Sequence, residues 1–476
     1  MNRKPTISAP DPIEYQAPSE FTVGAHTYIT ETRSYKLITP LFGGGVKAGV
    51  NDPITPIRAS GIRGQLRFWW RAIRGGGYST IDELRAKEAE IWGSASSNSD
   101  SIEYQHLLRS VQINVTEVIH SQNREGKYQI TPYKVIPTNQ DPNKFMPRFN
   151  QKTPIPVPEY ATFPLQPTTD EAQEIGETGN YDQIKNLTHN IHFDLEITYH
   201  KCFELEILAA LWAWEMFGGV GGRTRRGFGS ITRIDGSEKP SSVESAEGWL
   251  KEKIDGYALK TSEWIEYVPN IVESFRNNQV FLSKEKSFDI NIWISLIDKL
   301  KKFRHQRIQD GRKFGRNYWP EPDYIRRITK KRSFTHKKDI VTISKFPRAT
   351  FGLPIIFHFG TNGDPDDTTL NPKDFERFSS PLIIKIIQCA DKSYLGIVLV
   401  LSKTRVPNQL KLTQGTQELA DPDNNTKTFQ QRLTINEATQ IKKIENNQAA
   451  GSLLNHQTDI LEAFLAYLKE KMPKEK

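Results

Sequence analysis

Apolar and polar residues alternate over residues 26–37 (HTYITETRSYKL), the period of a strand with one buried face. The same period recurs at 111–119 (VQINVTEVI) and 192–199 (HFDLEITY), and a further strand is predicted at 128–136. Between them the period changes to that of a helix. Residues 60–74 (SGIRGQLRFWWRAIR) place Ile62, Leu66, Trp69, Trp70 and Ile73 on one face, with Ser60 as predicted cap and Gly75-Gly76-Gly77 as the stop. A second helix is predicted over 81–92. A third over 202–217 (CFELEILAALWAWEMF) has Leu205, Leu208, Ala209, Leu211 and Trp212 on its core side, and Gly218 ends it. A short strand, 228–234, follows. Residues 137–192 are proline-rich and polar, and read as an irregular insertion.

This order of strands and helices is that of a split β-α-β unit, as in ferredoxin-like and RNA-recognition folds. The expected class is therefore α+β, with a first ferredoxin-like domain over 20–236. Residues 237–248 have linker composition. A second ferredoxin-like domain is expected over 249–476, with helices at 249–259 and 291–302 and a strand pair at 382–388 and 395–402. Residues 408–447 are polar with weak signals of order, and 456–471 is a closing amphipathic helix carrying Ile460, Leu461, Phe464, Leu465 and Leu468.

Composition narrows the class. The chain has 476 residues, 37% hydrophobic and 25% charged, and no apolar run of about 18 residues, so no membrane span is expected. The first residues (MNRKPTISAPDPIEYQ) lack the apolar core of a secretion signal. Two cysteines, Cys202 and Cys389, give no disulfide framework, and a reducing cytoplasm is the expected setting. The net charge of +8 is unevenly spread: residues 299–348 hold 17 Lys and Arg against four acids. Phe303, Phe314, Tyr318, Trp319, Tyr324 and Phe334 are interleaved there, a composition suited to stacking the bases of a single strand. The same segment equally suits docking on an acidic protein.

Two further stretches carry chemistry. Arg63, Arg67, Arg71 and Arg74 recur at i, i+4, i+8 and i+11 along the first helix, with Arg58 just upstream and no acid inside the helix. Either an anion resolves their repulsion or acids elsewhere in the chain do. Residues 218–229 (GGVGGRTRRGFG) combine six glycines with Arg223, Arg225 and Arg226. Such a loop allows close backbone approach, and inward-turned amides beside guanidiniums make an anion cradle, here spanning Gly221, Gly222, Arg223, Thr224, Arg225, Arg226 and Gly227. No Lys-Ser or Lys-Thr follows the glycines, so this is not a nucleotide-binding Walker loop. The helix precedes the glycines, the reverse of a dinucleotide fingerprint. A phosphate here meets the negative end of the helix dipole, opposing binding by about 0.3–1 kcal/mol, so the arginines must carry the attraction.

Thr39-Pro-Leu-Phe-Gly-Gly-Gly45, Ile57-Arg-Ala-Ser-Gly-Ile-Arg-Gly64 leading into Leu66-Arg-Phe-Trp-Trp-Arg-Ala72, and Gly218-Gly-Val-Gly-Gly-Arg-Thr-Arg-Arg-Gly227 together resemble the RAMP superfamily. Within it they look like the family of first subunits of Cmr, the type III-B CRISPR effector complex. Arg348-Ala-Thr-Phe-Gly-Leu-Pro354 and Arg377-Phe-Ser-Ser-Pro-Leu382 look like that family's second domain. The resemblance implies an RNA-binding subunit without catalytic residues or cofactor, contributing to antiviral defence. It would hold the 3′ part of a guide (CRISPR) RNA and help capture target RNA, beside other Cmr subunits and a neighbouring backbone RAMP subunit in particular. Carried over, Arg58, Arg63, Arg67, Arg71 and the loop from Gly221 to Gly227 contact RNA, and Arg74 extends the stripe. The alternative is a RAMP-type endoribonuclease that processes precursor guide RNA, with His26 as general acid or base. His189 and His192 have no cysteine pair nearby to complete a zinc site, and Asp364, Asp366 and Asp367 lie in a turn sequence.

Overall fold

The computed structural model describes residues 19–45, 49–52, 54–93, 111–120, 129–236, 238–259, 264–310, 313–404 and 406–472. The chain divides into two compact units, the first comprising 1–265, 286–291 and 385–395 and the second 266–285, 292–384 and 396–476.

The first unit is built on one antiparallel sheet. Strand His26–Leu37 pairs with Ile191–His200 in a register running from Tyr28 opposite His200 to Lys36 opposite His192. Ile191–His200 pairs on its far side with Gln112–His120, with a register shift between Val115 and Val118. The other edge of His26–Leu37 is shared: Ser19–Val23 pairs near its start and Ile231–Arg233 near its end. Setting Ser19–Val23 aside, the sheet reads fourth, first, third, second strand in chain order. The predicted period is visible in Ile191–His200, where Ile191, Phe193, Leu195, Ile197 and Tyr199 are buried and the intervening residues are not.

Helices Ala59–Arg74 and Glu204–Phe217 pack on each other. The first buries Ile62, Leu66, Trp69, Trp70, Ala72 and Ile73, as its period requires, and also Arg74. Its cap is Arg58, which makes no side-chain capping bond, so Ser60 is not the cap the sequence suggested. The second helix has no exposed stripe over its last turns: every residue from Ala209 to Phe217 is buried, whereas Leu205 is exposed. A helix apolar all round is enclosed on all sides. The helix Ile81–Trp92 begins with a capping box between Thr80 and Glu83.

One buried layer of the sheet is polar. Glu31 and Arg33 occupy core-facing positions of His26–Leu37. Arg33 donates to Glu31 at 3.0 Å and to Glu215 at 3.1 Å, while the Tyr35 hydroxyl donates to Glu215 at 2.6 Å. Burial strongly disfavours charge there, and the carboxylates keep Arg33 a cation with its pKa raised above the ordinary value.

Residues 137–192 differ from the expected irregular insertion. Phe145–Phe149 pairs with Tyr133–Pro137, and a capped helix, Thr169–Thr178, closes over them. Val135, Ala172, Ile175 and Ile184 form a small core of their own, with Phe145 against it. The apolar residues that build it are widely spaced, so no periodic run announces them.

The second unit holds several small antiparallel sheets instead of one continuous sheet like that of the first unit. Residues 408–447 are ordered around Leu410, Leu412 and Phe429, which enter a core with Tyr324, Phe346 and Phe357. Strand Leu410–Gln414 there pairs with Thr368–Pro372, and a capped helix, Ile435–Gln440, follows. The closing helix, Ile460–Lys471, is capped by Asp459, and its Phe464 packs against Phe303 with ring centroids 5.2 Å apart.

Trp70 is wholly buried, and its indole Nε1 donates to Glu206 at 2.7 Å. Trp70→Ala is expected to lower the stability of the first unit by about 3–5 kcal/mol, read from denaturant melts. An unchanged midpoint would contradict this placement.

Candidate nucleic-acid interface

Three separate stretches of sequence meet at the C-terminal end of helix Glu204–Phe217. Gly218 caps that helix, its amide donating to the Trp214 carbonyl at 2.8 Å. A Cβ at this position would lie 2.5 Å from both Trp214 and the Trp69 indole nitrogen, so glycine is required for the two helices to come together. The loop beyond folds against residues 39–45. The Gly222 amide donates to the Phe42 carbonyl at 2.7 Å, and the Gly229 amide to that of Pro40 at 2.9 Å. The Thr39 hydroxyl donates to the Gly227 carbonyl at 2.6 Å and accepts from the Ser230 amide at 2.8 Å. At Gly229, φ is +60° and a Cβ would sit 1.9 Å from the Val220 carbonyl oxygen.

These contacts correct the cradle reading. The amides of Val220, Gly222, Arg226, Gly227 and Gly229 all donate to carbonyls within the protein. The glycines serve close packing and left-handed turns, and the arginine side chains are what the loop presents outward.

Those side chains differ in their surroundings. Arg223 is exposed, donates to the Ala161 carbonyl at 2.9 Å, and lies over the Phe42 ring at 5.5 Å. Arg225 lies over the ring of Phe68 at 5.4 Å, and its burial draws its pKa down from the ordinary arginine value. Arg226 is half-buried and donates to the Arg225 carbonyl at 3.0 Å. Thr224 accepts the Gly227 amide at its carbonyl and is half-buried. Because Phe68 belongs to helix Ala59–Arg74, the Arg225 contact brings the loop against that helix.

The arginine stripe is not uniform. Arg58 pairs with Asp52 at 2.6 Å. Backbone amides of Thr55 and Ile54 and the Arg58 guanidinium hold the Asp52 carboxyl well below the usual carboxylate range. Arg63 donates to the carbonyls of Trp92 and Val111 at 2.8 and 2.7 Å, bracing the ends of two neighbouring elements. Among the described residues its charge meets no carboxylate there, and burial and the neighbouring Arg67 lower its pKa. Arg67 and Arg71 both reach Glu88, Arg67 at 2.7 Å. One carboxylate facing two guanidiniums leaves a net positive charge, and both arginine side chains are about one-third exposed, 37% and 31%. Arg74 is 4% exposed and bonds to Glu206 at 3.0 Å and to the Tyr257 carbonyl at 2.7 Å.

Acids elsewhere in the chain therefore answer part of the stripe. Arg74 is internal, Arg63 is a brace, and Arg67 and Arg71 remain the open positive pair. The reasoning from sequence missed Glu88, Glu206 and Phe68. Phe68 was in plain view beside Trp69 and Trp70, but only the folded helix shows that it turns toward the loop.

The basic segment departs further from expectation. Phe303 and Trp319 are wholly buried and Tyr324 nearly so, which removes them as stacking platforms. Of its other aromatics, Tyr318 is half-buried, the Phe314 side chain lies outside the described residues, and Phe334 is exposed with Lys337 3.9 Å from its ring centre. Several of its cations are paired with carboxylates. Arg326 meets Asp364 at 2.9 Å, Arg327 meets Asp339 at 2.6 Å, Lys331 meets Asp366 at 2.6 Å, Lys345 meets Glu437 at 2.7 Å and Arg348 meets Glu321 at 3.0 Å. Three of these acids come from beyond the segment, which a local charge count cannot register.

Among the described residues no group of three or more His, Cys, Asp or Glu is arranged to hold a metal, and no helix is long and apolar enough to cross a membrane. His26 sits at the start of its strand, its Nδ1 3.3 Å from Nε2 of His200. Thr39, which ties down the glycine loop, lies just past the other end. Eleven steps of strand separate His26 from Leu37, about 35 Å.

No curated protein sequence matches the chain significantly. Among solved structures it is similar to Cmr1 from Pyrococcus furiosus in its apo form, with 14% identity, 93% of this chain and 97% of that chain covered, and a TM-score of 0.43. It is also similar to a chain of the type III-B Cmr-beta complex bound to cognate target RNA, seen by cryo-EM, with 15% identity, 78% and 94% coverage, and a TM-score of 0.42. Residues 34–232 match the family model of the RAMP superfamily, and all three stretches that meet at the glycine loop fall within that span.

Proposed function

We propose that the chain is a non-catalytic RNA-binding subunit of a type III-B CRISPR ribonucleoprotein. It holds the 3′ part of the guide RNA and helps capture target RNA, with other Cmr subunits, including a neighbouring backbone RAMP subunit, as its partners. The observation that carries this reading is the contact of loop Arg225 with Phe68 of helix Ala59–Arg74, the helix that also carries the partly exposed pair Arg67 and Arg71. Guanidiniums in such an array bind the ribonucleotide backbone with little base preference, and binding weakens as salt rises. The strand order of the first unit supports reading it as ferredoxin-like, and we extend that reading to a second domain over 249–476.

The alternative, an endoribonuclease using His26, fits less well. A general acid or base must lie within hydrogen-bond reach of the proton it moves. RNA gripped at the glycine loop passes His26 only if it also runs the length of the strand. A labelled hairpin RNA left intact by the purified protein supports the binding role, whereas a metal-independent cut abolished by His26→Ala would establish the enzyme.

Arg67→Glu and Arg225→Glu are each expected to weaken binding of single-stranded RNA about tenfold at about 0.1 M salt in a protein that still folds cooperatively. Affinity equal to that of the unaltered protein would remove both residues from the interface. Arg74→Ala should behave differently. It leaves Glu206 buried without its cation and lowers stability by about 3–5 kcal/mol in the same melts.

A further inference from the structure

The interface described above leaves a buried lysine without a role. Lys385, in strand Leu382–Gln388, belongs to the first unit and is 0% exposed. Its Nζ donates to the carbonyl of Gly218, the residue that ends helix Glu204–Phe217 and begins the glycine loop. Carbonyls at a helix C-terminus lack partners within the helix and gather negative charge, so an amine there satisfies an acceptor that would otherwise be stranded. An ammonium carries three donors, and among the described residues Gly218 is the acceptor that Lys385 has.

We propose that Lys385 is the positioning residue that locks the glycine loop in the shape presenting Arg223 and Arg225 to RNA, and that gaining a proton weakens the lock. The RNA part rests on the function proposed above; the lock itself does not.

The charged group acting on Lys385 is Glu215, one turn before the helix end, and its pull toward the cation is smaller than the cost of burial. Glu215 is itself engaged by Arg33 at 3.1 Å and by the Tyr35 hydroxyl at 2.6 Å, and its field is shared with Arg233 and Lys239. Burial accordingly draws the Lys385 pKa down to about 7. An opened loop would return the amine to its ordinary value near 10.4. Between those two values the open form binds more protons than the closed one. Closure therefore strengthens as pH rises from about 7 toward 10, and is independent of this group below 7.

Hydrogen exchange on the full chain tests this without RNA. The reporters are the amides of Val220, Gly222 and Gly229, which donate to Gly229, Phe42 and Pro40. After correction for intrinsic exchange, their protection should rise by up to about tenfold per pH unit above about pH 7. Amides inside helix Glu204–Phe217 should not follow. Lys385→Met should abolish the rise and lower loop protection at pH 9, and single-stranded RNA should bind it about tenfold more weakly at about 0.1 M salt. A flat profile in the unaltered protein overturns the lock, as does a rise that survives Lys385→Met. Should that variant not fold, the profile of the unaltered protein decides alone. Failure of the unaltered protein to bind RNA would sink the functional reading and leave the lock standing.

Discussion

The carboxylate of Glu206 organises the arginine face. It accepts from the Trp70 indole at 2.7 Å and from Arg74 at 3.0 Å, and so ties helix Ala59–Arg74 to the start of helix Glu204–Phe217. At the other end of helix Glu204–Phe217, Gly218 lets Trp69 and Trp214 close together without a Cβ between them. Trp69 and Trp70 thus fasten helix Ala59–Arg74 to the two ends of helix Glu204–Phe217, and Phe68, the residue before them, lies under Arg225. Removing either fastening frees the angle between them, and with it the relation between stripe and loop. A buried charged pair of this kind adds little net stability against an apolar substitute, but breaking it is costly, which makes it a device for a defined geometry.

Two forms of charge coexist in this chain. Arg33, Arg74, Arg326 and Arg348 are all less than 10% exposed and are held by carboxylates, so they belong to the interior. Arg67, Arg71 and Arg223 are open to solvent to varying degrees, with fewer carboxylates than guanidiniums about them among the described residues. Only the second kind can attract a polyanion. A count of basic residues mixes the two, and for residues 299–348 it overstates the open charge, because Asp364, Asp366 and Glu437 return from later in the chain to pair with Arg326, Lys331 and Lys345.

How far the sequence could be read follows from which interactions are local. The strands at 26–37 and 191–200 and the helix at 81–92 were legible because alternation, helical period and capping are written within a few residues. The face of helix Ala59–Arg74 was legible for the same reason. The fold of residues 137–192 was not, since Val135, Ala172, Ile175 and Ile184 come together only in space. Nor were the partners of the arginines, as Glu88 and Glu206 lie 17 to 132 residues from the side chains they hold. The glycines of 218–229 stand out in the sequence as an unusual backbone, but the amides of Gly218, Gly222, Gly227 and Gly229 turn to carbonyls within the protein.

The central claim is that RNA lies along helix Ala59–Arg74 and the glycine loop. Photo-crosslinking a uniformly substituted single-stranded RNA to the intact protein, followed by mass spectrometry of the attached peptides, tests it directly. The account predicts that crosslinks concentrate in peptides spanning 59–74 and 218–229. Crosslinks confined to 299–348, with none in those two peptides, would contradict it.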